Sequence, residues 1–580
     1  MYQLETAVTK YITIPKPPCM NKINPMFWSL SVALLLWNPM VSKAQVSSKE
    51  QQYSFDNLPT VKATSFKKDT INILSYGAKN DGITLNTKSI NSAIQAMSKK
   101  GGGVVVIPAG LWLSGPVELK SNVNLHLQKN SLLQFTKDFK QYELVKGNWE
   151  GFPQMRNQSP IWANDQVNIA ITGFGIIDGG GDAWRMVKRD KLTESQWKKL
   201  LASGGLVSEN KKIWYPSALT MKGSAMKDPG KISSDKTPEF YESIKDFLRP
   251  NLMVLYRCKQ ILLEGVTFQN SPAWNLHPLM SEDITVRNIY VKNPWYAQNG
   301  DGIDIESCKN VLIEGSTFDV GDDGICIKSG RDAAGRERGV PTENVIIRNS
   351  TVYHAHGGFV IGSEMSGGAK NIFISDCTFI GTDIGLRFKT TRGRGGVVEN
   401  IYAKNINMKD IAGEAILFDM YYAAVDPVPL TGEQRTAPKV ELLPVTEETP
   451  IFRKFYIENV VCDGAAKAVF IRGLPEMSIS DIYLNNLVIK ADEGVDIQEA
   501  KNIQLTNVHL DVPKAKPLLY VQNGKSVYFK NIDYTNAELL IRVSGDQNKD
   551  LKMSGTATAK AKALSEFTHD AKPVVLEIKK

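Results

Sequence analysis

From Asn122 onward one short phrase returns along the chain: apolar residues alternate with polar or small ones over about five positions, and an asparagine or glycine follows where the backbone must turn. It reads NVNLHLQKN, NIAITGFG, QILLEGVTF, DITVRNIYV, NVLIEGSTF, NVIIRNSTV, NIFISDCTF, NIYAKNINM, MSISDIYLNN, NIQLTNVHL and SVYFKNIDY. The first inward positions Ile261, Ile284, Val311, Val345, Ile372 and Ile401 recur at about 23 to 34 residues, the period of stacked solenoid turns. The pattern therefore predicts an all-β chain, a parallel β-helix of about ten coils. A β-sandwich would need repeated Asn-Gly hairpins and Greek-key spacing, and the sequence has neither.

Around this repeat the pattern changes. Residues 45–69 are polar and aperiodic, which predicts a flexible linker. Ile90, Ala93, Ile94 and Met97 share one helical face, and Gly101-Gly102-Gly103 ends that helix; such a short helix would cover the open end of the β-stack, whose edge is otherwise an aggregation site. The β-helix is expected over 70–535, with insertions at 186–248 and 421–452. In the first insertion Thr193 caps a helix with Gln196 completing the capping box, and the rest reads as loop punctuated by lysine and proline. Long loops on a solenoid project from one face and shape a groove. Over 536–580 the repeat fades into a tail expected to cap the C-terminal end.

Composition adds compartment and excludes some classes. With 42% hydrophobic and 22% charged residues in 580, the chain is a folded protein and not a disordered one. Residues 1–44 read as an export signal: a basic start at Met20-Asn21-Lys22, an apolar run from Phe27 to Trp37, and Ser42-Lys43-Ala44 before the cut. The true start is then Met20, and the apolar run is too short to span a membrane. The net charge of +8 suits a polyanionic partner only weakly, and nothing in it points to nucleic acid. Beyond Cys19 the cysteines are Cys258, Cys308, Cys326, Cys377 and Cys462, an odd number without metal-ligand spacing, read as buried free thiols. Cys258 and Cys308 each stand three residues before a first inward position and would occupy equivalent slots of the repeat.

Four polar clusters interrupt the repeat between Asn299 and Lys389: Asn299-Gly300-Asp301-Gly302-Ile303-Asp304, Gly321-Asp322-Asp323-Gly324, His356-Gly357-Gly358 and Arg387-Phe388-Lys389. Stacked coils lie about 4.8 Å apart, so Asp301 would approach the pair Asp322 and Asp323 one coil later. Consecutive strand residues face opposite ways, hence the pair converges only in a turn or bulge, which its flanking glycines permit. Hydrolysis of a glycosidic bond needs one carboxyl to protonate the leaving oxygen and another to activate water. Asp304, three positions further, falls one layer inward as a turn or ladder residue. His356 would hold the protonation state of the acid through a hydrogen bond. Arg387 and Lys389 point to one face with Phe388 between them facing inward, and arginine grips a carboxylate in bidentate fashion.

The ordered set of clusters resembles the polygalacturonases of glycoside hydrolase family 28, over roughly residues 70–510. YGAKNDG, GGGVVVIPAG, GFGIIDGGGDAW and SPAWNLHP agree with it. The resemblance implies a right-handed parallel β-helix of the pectin-lyase-like kind and hydrolysis of α-1,4 galacturonosyl bonds in pectin with inversion. It implies Asp322 as general acid, Asp301 and Asp323 as holders of the water, and His356, Arg387 and Lys389 as groups that bind substrate or tune the acid, with Asn299 beside them. Gly300 stands where that family commonly has threonine, and Ala355 where it often has glycine. The run after Lys389 is similar to bacterial members that act on chain ends, and Arg392 and Arg394 would bind a terminal carboxylate.

The expectation is thus an exported, periplasmic or secreted enzyme, without cofactor or metal, acting on pectic polysaccharide or galacturonate oligosaccharides from the chain end. The alternatives are an endo-polygalacturonase or rhamnogalacturonan-type hydrolase, a calcium-dependent pectate lyase, and a non-catalytic carbohydrate-binding β-helix.

Overall fold

The computed structural model describes residues 52–423, 442–513 and 515–579. Residues Tyr53–Lys580 form one compact unit. The export signal, its start at Met20, Cys19 and most of the 421–452 insertion lie outside the described residues.

One parallel sheet of 36 strands winds through the unit, a right-handed β-helix. The six first inward positions stack in register, Ile261 on Ile284, Val311, Val345, Ile372 and Ile401. All six are buried, and with the aliphatic columns beside them they fill the interior. Asparagines turn each corner with left-handed backbone: φ is 56°, 60°, 56° and 57° at Asn310, Asn344, Asn371 and Asn400. Their side chains bond coil to coil, Asn344 to Asn310 at 3.1 Å, Asn371 to Asn344 at 3.2 Å and Asn400 to Asn371 at 3.3 Å. Asparagine tolerates this conformation and supplies both a donor and an acceptor to the ladder.

The helix Thr87–Lys99 buries Ile90, Ala93, Ile94 and Met97 against the first strands. The helix Glu194–Ala202 carries the expected capping box from Thr193 and Gln196. The five cysteines are free and buried. Cys258, Ser281, Cys308 and Thr342 occupy one column: the Cys258 amide donates to Ser281 Oγ, the Ser281 amide to Cys308 Sγ, and the Cys308 amide to Thr342 Oγ1.

Three expectations are corrected. Residues 53–69 are not a loose linker: Phe55 packs edge-on against Phe373 at 5.5 Å, Lys404 covers it at 3.9 Å, and Lys62 and Ser65 donate backbone bonds to Asp283 and Asn168. Apolar and polar anchors alternate too widely for a periodic signal. The 186–248 insertion holds more structure than one helix, namely helices Ala218–Ser224 and Pro238–Glu242 and a small antiparallel sheet built on Ile213–Tyr215. The repeat does not fade at 536: Ala537–Ser544, Lys549–Ser554, Ala561–Thr568 and Leu576–Lys579 continue the parallel ladder. Their outward positions are polar enough to hide the period.

One element has no counterpart in the repeat. Leu144–Trp149 and Phe152–Asn157 form an antiparallel hairpin, which rises from the early coils and reaches the coil of Asn299.

Candidate active site

The strands Ile303–Glu306 and Ile325–Lys328 pair in parallel and are buried on both faces. Ile303, Ile305, Ile325 and Ile327 point into the core, so alternation turns Asp304, Glu306, Cys326 and Lys328 outward. The turns that lead into these strands bring the acids together. Asp301, Asp322 and Asp323 each place a carboxylate oxygen within 4.8 Å of the others. The pair at 322–323 converges because it lies in the turn between Thr317–Asp319 and Ile325–Lys328.

Gly300 makes the first turn possible. A Cβ there would lie 2.7 Å from the Ala297 carbonyl and 2.8 Å from the Ala297 Cβ, so threonine would force the turn apart. In this chain the turn closes with the Gly300 amide donating to Ala297.

The three acids have different surroundings. Asp323 is 2% exposed, with Lys389 Nζ at 2.8 Å and Arg387 Nη1 at 3.5 Å. Burial pushes its pKa up, but Lys389, Arg387 and Lys328 outweigh burial and hold the carboxyl below its ordinary value. Asp301 is 3% exposed, and its Oδ1 has no protein partner. Burial and the nearby Asp304 and Asp322 carboxyls push its pKa well up. Asp322 is the acid open to the cleft, with 20% of its side chain exposed. Its Oδ2 accepts from the Asn299 amide at 3.2 Å and its Oδ1 from the Asp323 amide at 3.0 Å.

His356 meets Asp322 twice: Nδ1 lies 3.1 Å from Oδ1, and the His356 amide donates to the Asp322 carbonyl. The Asp322 hydrogen bond raises the imidazole pKa against the effect of burial, so His356 keeps its proton to higher pH than a free histidine. Arg387 Nη1 also donates to the His356 carbonyl at 3.0 Å. Tyr422 lies against both cations, 5.7 Å from Arg387 and 4.8 Å from Lys389.

Asp304 is the ladder residue expected, in register with Cys326, but it faces outward and not inward. It is fully buried on the outward face, 3.6 Å from Lys328 Nζ, and neither carboxylate oxygen has a hydrogen-bond partner. Burial pushes its pKa well up, with Lys328 opposing and Asp323 and Asp322 adding to the rise. Lys328 and Glu364, paired at 3.0 Å, were missed because a lysine in a strand and a glutamate in a loop carry no local signal of partnership. Burial raises the Glu364 pKa, but Lys328 and Arg394 outweigh it and hold it at about 2.

Arg392 and Arg394 are less free than a carboxylate clamp requires. Arg392 grips Glu476 with Nε at 2.6 Å and Nη2 at 2.9 Å. Arg394 is buried, bonded to Asp332 and 3.8 Å from Glu364. Both arginines hold loops around the cleft.

The hairpin 144–157 lies beside the acids, its tip reaching the coil of Asn299. Trp149 stacks on Trp274 at 5.9 Å, Arg156 lies 3.7 Å over Trp149, and Arg249 joins Asn299 Oδ1 at 3.0 Å. The tip is fastened to the far wall, since the Gly151 carbonyl accepts from the Arg331 amide and from Arg338 Nη2. Gly151 has φ of 80°, and a Cβ would lie 2.6 Å from the Arg331 nitrogen. Beneath the hairpin every residue of Leu276–Leu279 is buried, His277 included. The Glu150-Gly151 dipeptide between two short polar-apolar runs was the available signal.

The acid cluster on a parallel β-helix fits a glycoside hydrolase, and comparison with known proteins agrees. Residues 234–448 match the model of glycosyl hydrolases family 28, and residues 70–226 match that of rhamnogalacturonase A/epimerase, pectate lyase-like. The chain is 30% identical over 473 residues to an exo-poly-alpha-D-galacturonosidase of Dickeya chrysanthemi, covering 78% of this chain and 72% of that one. It is 27% identical to a probable polygalacturonase of Vitis vinifera, over 74% of this chain and 75% of that one. Among solved structures, a hyperthermoactive exopolygalacturonase from Thermotoga maritima is 30% identical with a TM-score of 0.58, covering 82% of this chain and 93% of that one. A family 28 exopolygalacturonase of Yersinia enterocolitica, at 23% identity and a TM-score of 0.63 over 80% and 78% of the two chains, shares the fold. The chain belongs to glycosyl hydrolase family 28.

Proposed function

We propose that this glycoside hydrolase cleaves α-1,4 galacturonosyl linkages of pectic galacturonan from a chain end, with inversion. The observation that carries the chain-end reading is the hairpin 144–157, whose tip contacts Asn299, Arg331 and Arg338 beside the acids and so would bar a polymer from running past them. A polymer can then enter from the side of Arg387 and Lys389 and stop at the wall.

The division of labour follows exposure. Asp322 faces the cleft and donates the proton to the leaving oxygen, positioned by His356 and the Asn299 amide. Asp301 and Asp323 are too buried to reach an anomeric carbon, and Asp323 is tied to Lys389. They are suited to hold a water between them, with Asp323, kept ionised by Lys389 and Arg387, taking its proton, which makes the displacement direct and inverts the centre. The oxygen separations within 4.8 Å are shorter than the about 6.5–9.5 Å usual in inverting enzymes. Proton NMR of the first product formed tests the assignment, and a product that retains the substrate anomer refutes it. Arg387, held by Asp323 less closely than Lys389 is, leaves positive charge at the acids for a uronate carboxylate.

Similarity to enzymes named exo-poly-alpha-D-galacturonosidase and exopolygalacturonase supports the same substrate and mode. The product time course on polygalacturonate decides: steady monomer release is expected, and a ladder of oligomers would overturn the chain-end reading.

The cluster of Asp301, Asp322 and Asp323 also favours a second reading, a cation-dependent lyase. Calcium takes six to eight oxygens, whereas Asp323 is already neutralised by Lys389 and Arg387. Loss of activity with chelator, and an ultraviolet-absorbing product, would establish the lyase.

The signal at 1–44 supports export to the periplasm or medium. Among the described residues no helix is long and apolar enough to cross a membrane. A mature protein beginning at Gln45 in the exported fraction is expected.

A further inference from the structure

Glu150 sits on the hairpin tip, beside the acids. Its Oε1 accepts from Asn299 Nδ2 at 3.5 Å and its Oε2 lies 3.3 Å from Arg331 Nη1. The Asn299 backbone amide in turn holds Asp322 Oδ2 at 3.2 Å, so one residue separates Glu150 from the proton donor. The tip is rigidly mounted through the Trp149–Trp274 stack and the two bonds to the Gly151 carbonyl. The Glu150 side chain nevertheless keeps 34% of its surface open.

A carboxylate has about four acceptor positions, and the two protein contacts here are long. The remaining positions accept from a sugar hydroxyl but repel a second carboxylate. Every internal galacturonate carries a carboxylate and continues into another residue, whereas a chain end presents a hydroxyl.

We propose that Glu150 is the specificity residue that reads the chain end, accepting a hydrogen bond from the terminal sugar hydroxyl while its charge turns away a galacturonan that continues. The proposal rests on the chain-end reading given above and adds the group that enforces it.

Three trigalacturonates test it: the intact trimer, one lacking the C4 hydroxyl at its non-reducing end (a 4,5-unsaturated terminus), and one whose reducing-end C1 hydroxyl is capped as a methyl glycoside. A hydrogen bond to a charged group corresponds to about 10- to 100-fold. Glu150→Gln should lose about that factor in kcat/KM on the intact trimer and on one of the modified trimers. On the trimer without the recognised hydroxyl it should match wild type, and that trimer identifies which end enters. Glu150→Asp, which keeps the charge but withdraws it by one methylene, should show the same selective loss, and thermal unfolding of both variants should match wild type. Equal losses on all three trimers, or no loss on any, would overturn the role of Glu150. A wild-type enzyme that makes an oligomer ladder from polymer would instead overturn the chain-end reading itself.

Discussion

The two faces of the strands Ile303–Glu306 and Ile325–Lys328 are equally buried and chemically opposite. Inward, Ile303, Ile305, Ile325 and Ile327 pack in a continuous apolar core; outward, Asp304, Glu306 and Lys328 are as deeply enclosed but ionisable. The inner face stabilises the fold by removing apolar surface from water. The outer face costs desolvation, which Coulomb partners offset only where they are close. Lys389 does this for Asp323, and Lys328 for Glu364. Asp304 and Asp301 keep unpartnered oxygens instead. Two identical burial patterns thus serve stability on one side and chemistry on the other.

The sharpest way to separate the faces is Asp322→Asn. It should lower kcat by about 10³-fold or more, in line with loss of a general acid, while the unfolding temperature stays within a degree or two of wild type. A kcat near wild type would remove Asp322 from the proton-donor role. Lys389→Met should damage both properties, because it leaves Asp323 buried without its nearest cation; a loss of about 3–5 kcal/mol is expected, read by denaturant unfolding together with activity. Ile305→Ala, on the other face of the same ladder, should cost about 2–5 kcal/mol and leave kcat intact at temperatures where the variant is folded.

The smallest effect comes from a buried carboxylate outside the catalytic turns. Glu499 is 7% exposed and accepts from Asn523 Nδ2 at 2.5 Å. Burial pushes its pKa up to about 7, above the ordinary 4.5, despite Asn523 and Lys525. A carboxyl that titrates higher in the folded chain binds more protons there than in the unfolded chain, so stability falls as pH rises from 4.5 to 7. Glu499→Gln should therefore gain about 2–3 kcal/mol at pH 8 and nothing at pH 4. A gain independent of pH would show that packing, not ionisation, is responsible.

Most of the architecture was legible in the order of residues alone. The alternation and period of the repeat placed Ile261, Ile284, Val311, Val345, Ile372 and Ile401 correctly because register in a parallel stack follows the inward apolar column. The helix 87–99 and the Thr193 cap were legible for the same reason, since their signals are local. The four clusters were legible as an ordered set, and stacking does bring Asp301 to Asp322 and Asp323.

Tertiary structure alone decided which charges are partners and where the cleft ends. Asp304 is a ladder residue as read, but its outward side and its neighbour Lys328 emerge only in the stack, and Arg392 and Arg394 read as free cations until Glu476 and Asp332 meet them. Residues 53–69 and the hairpin 144–157 are held by scattered contacts from distant coils, which leave no period in their own sequence. Periodicity records what a residue shares with its repeat. Pairing of charges and closure of a groove depend on residues far apart in the chain, so they emerge only when the coils are stacked.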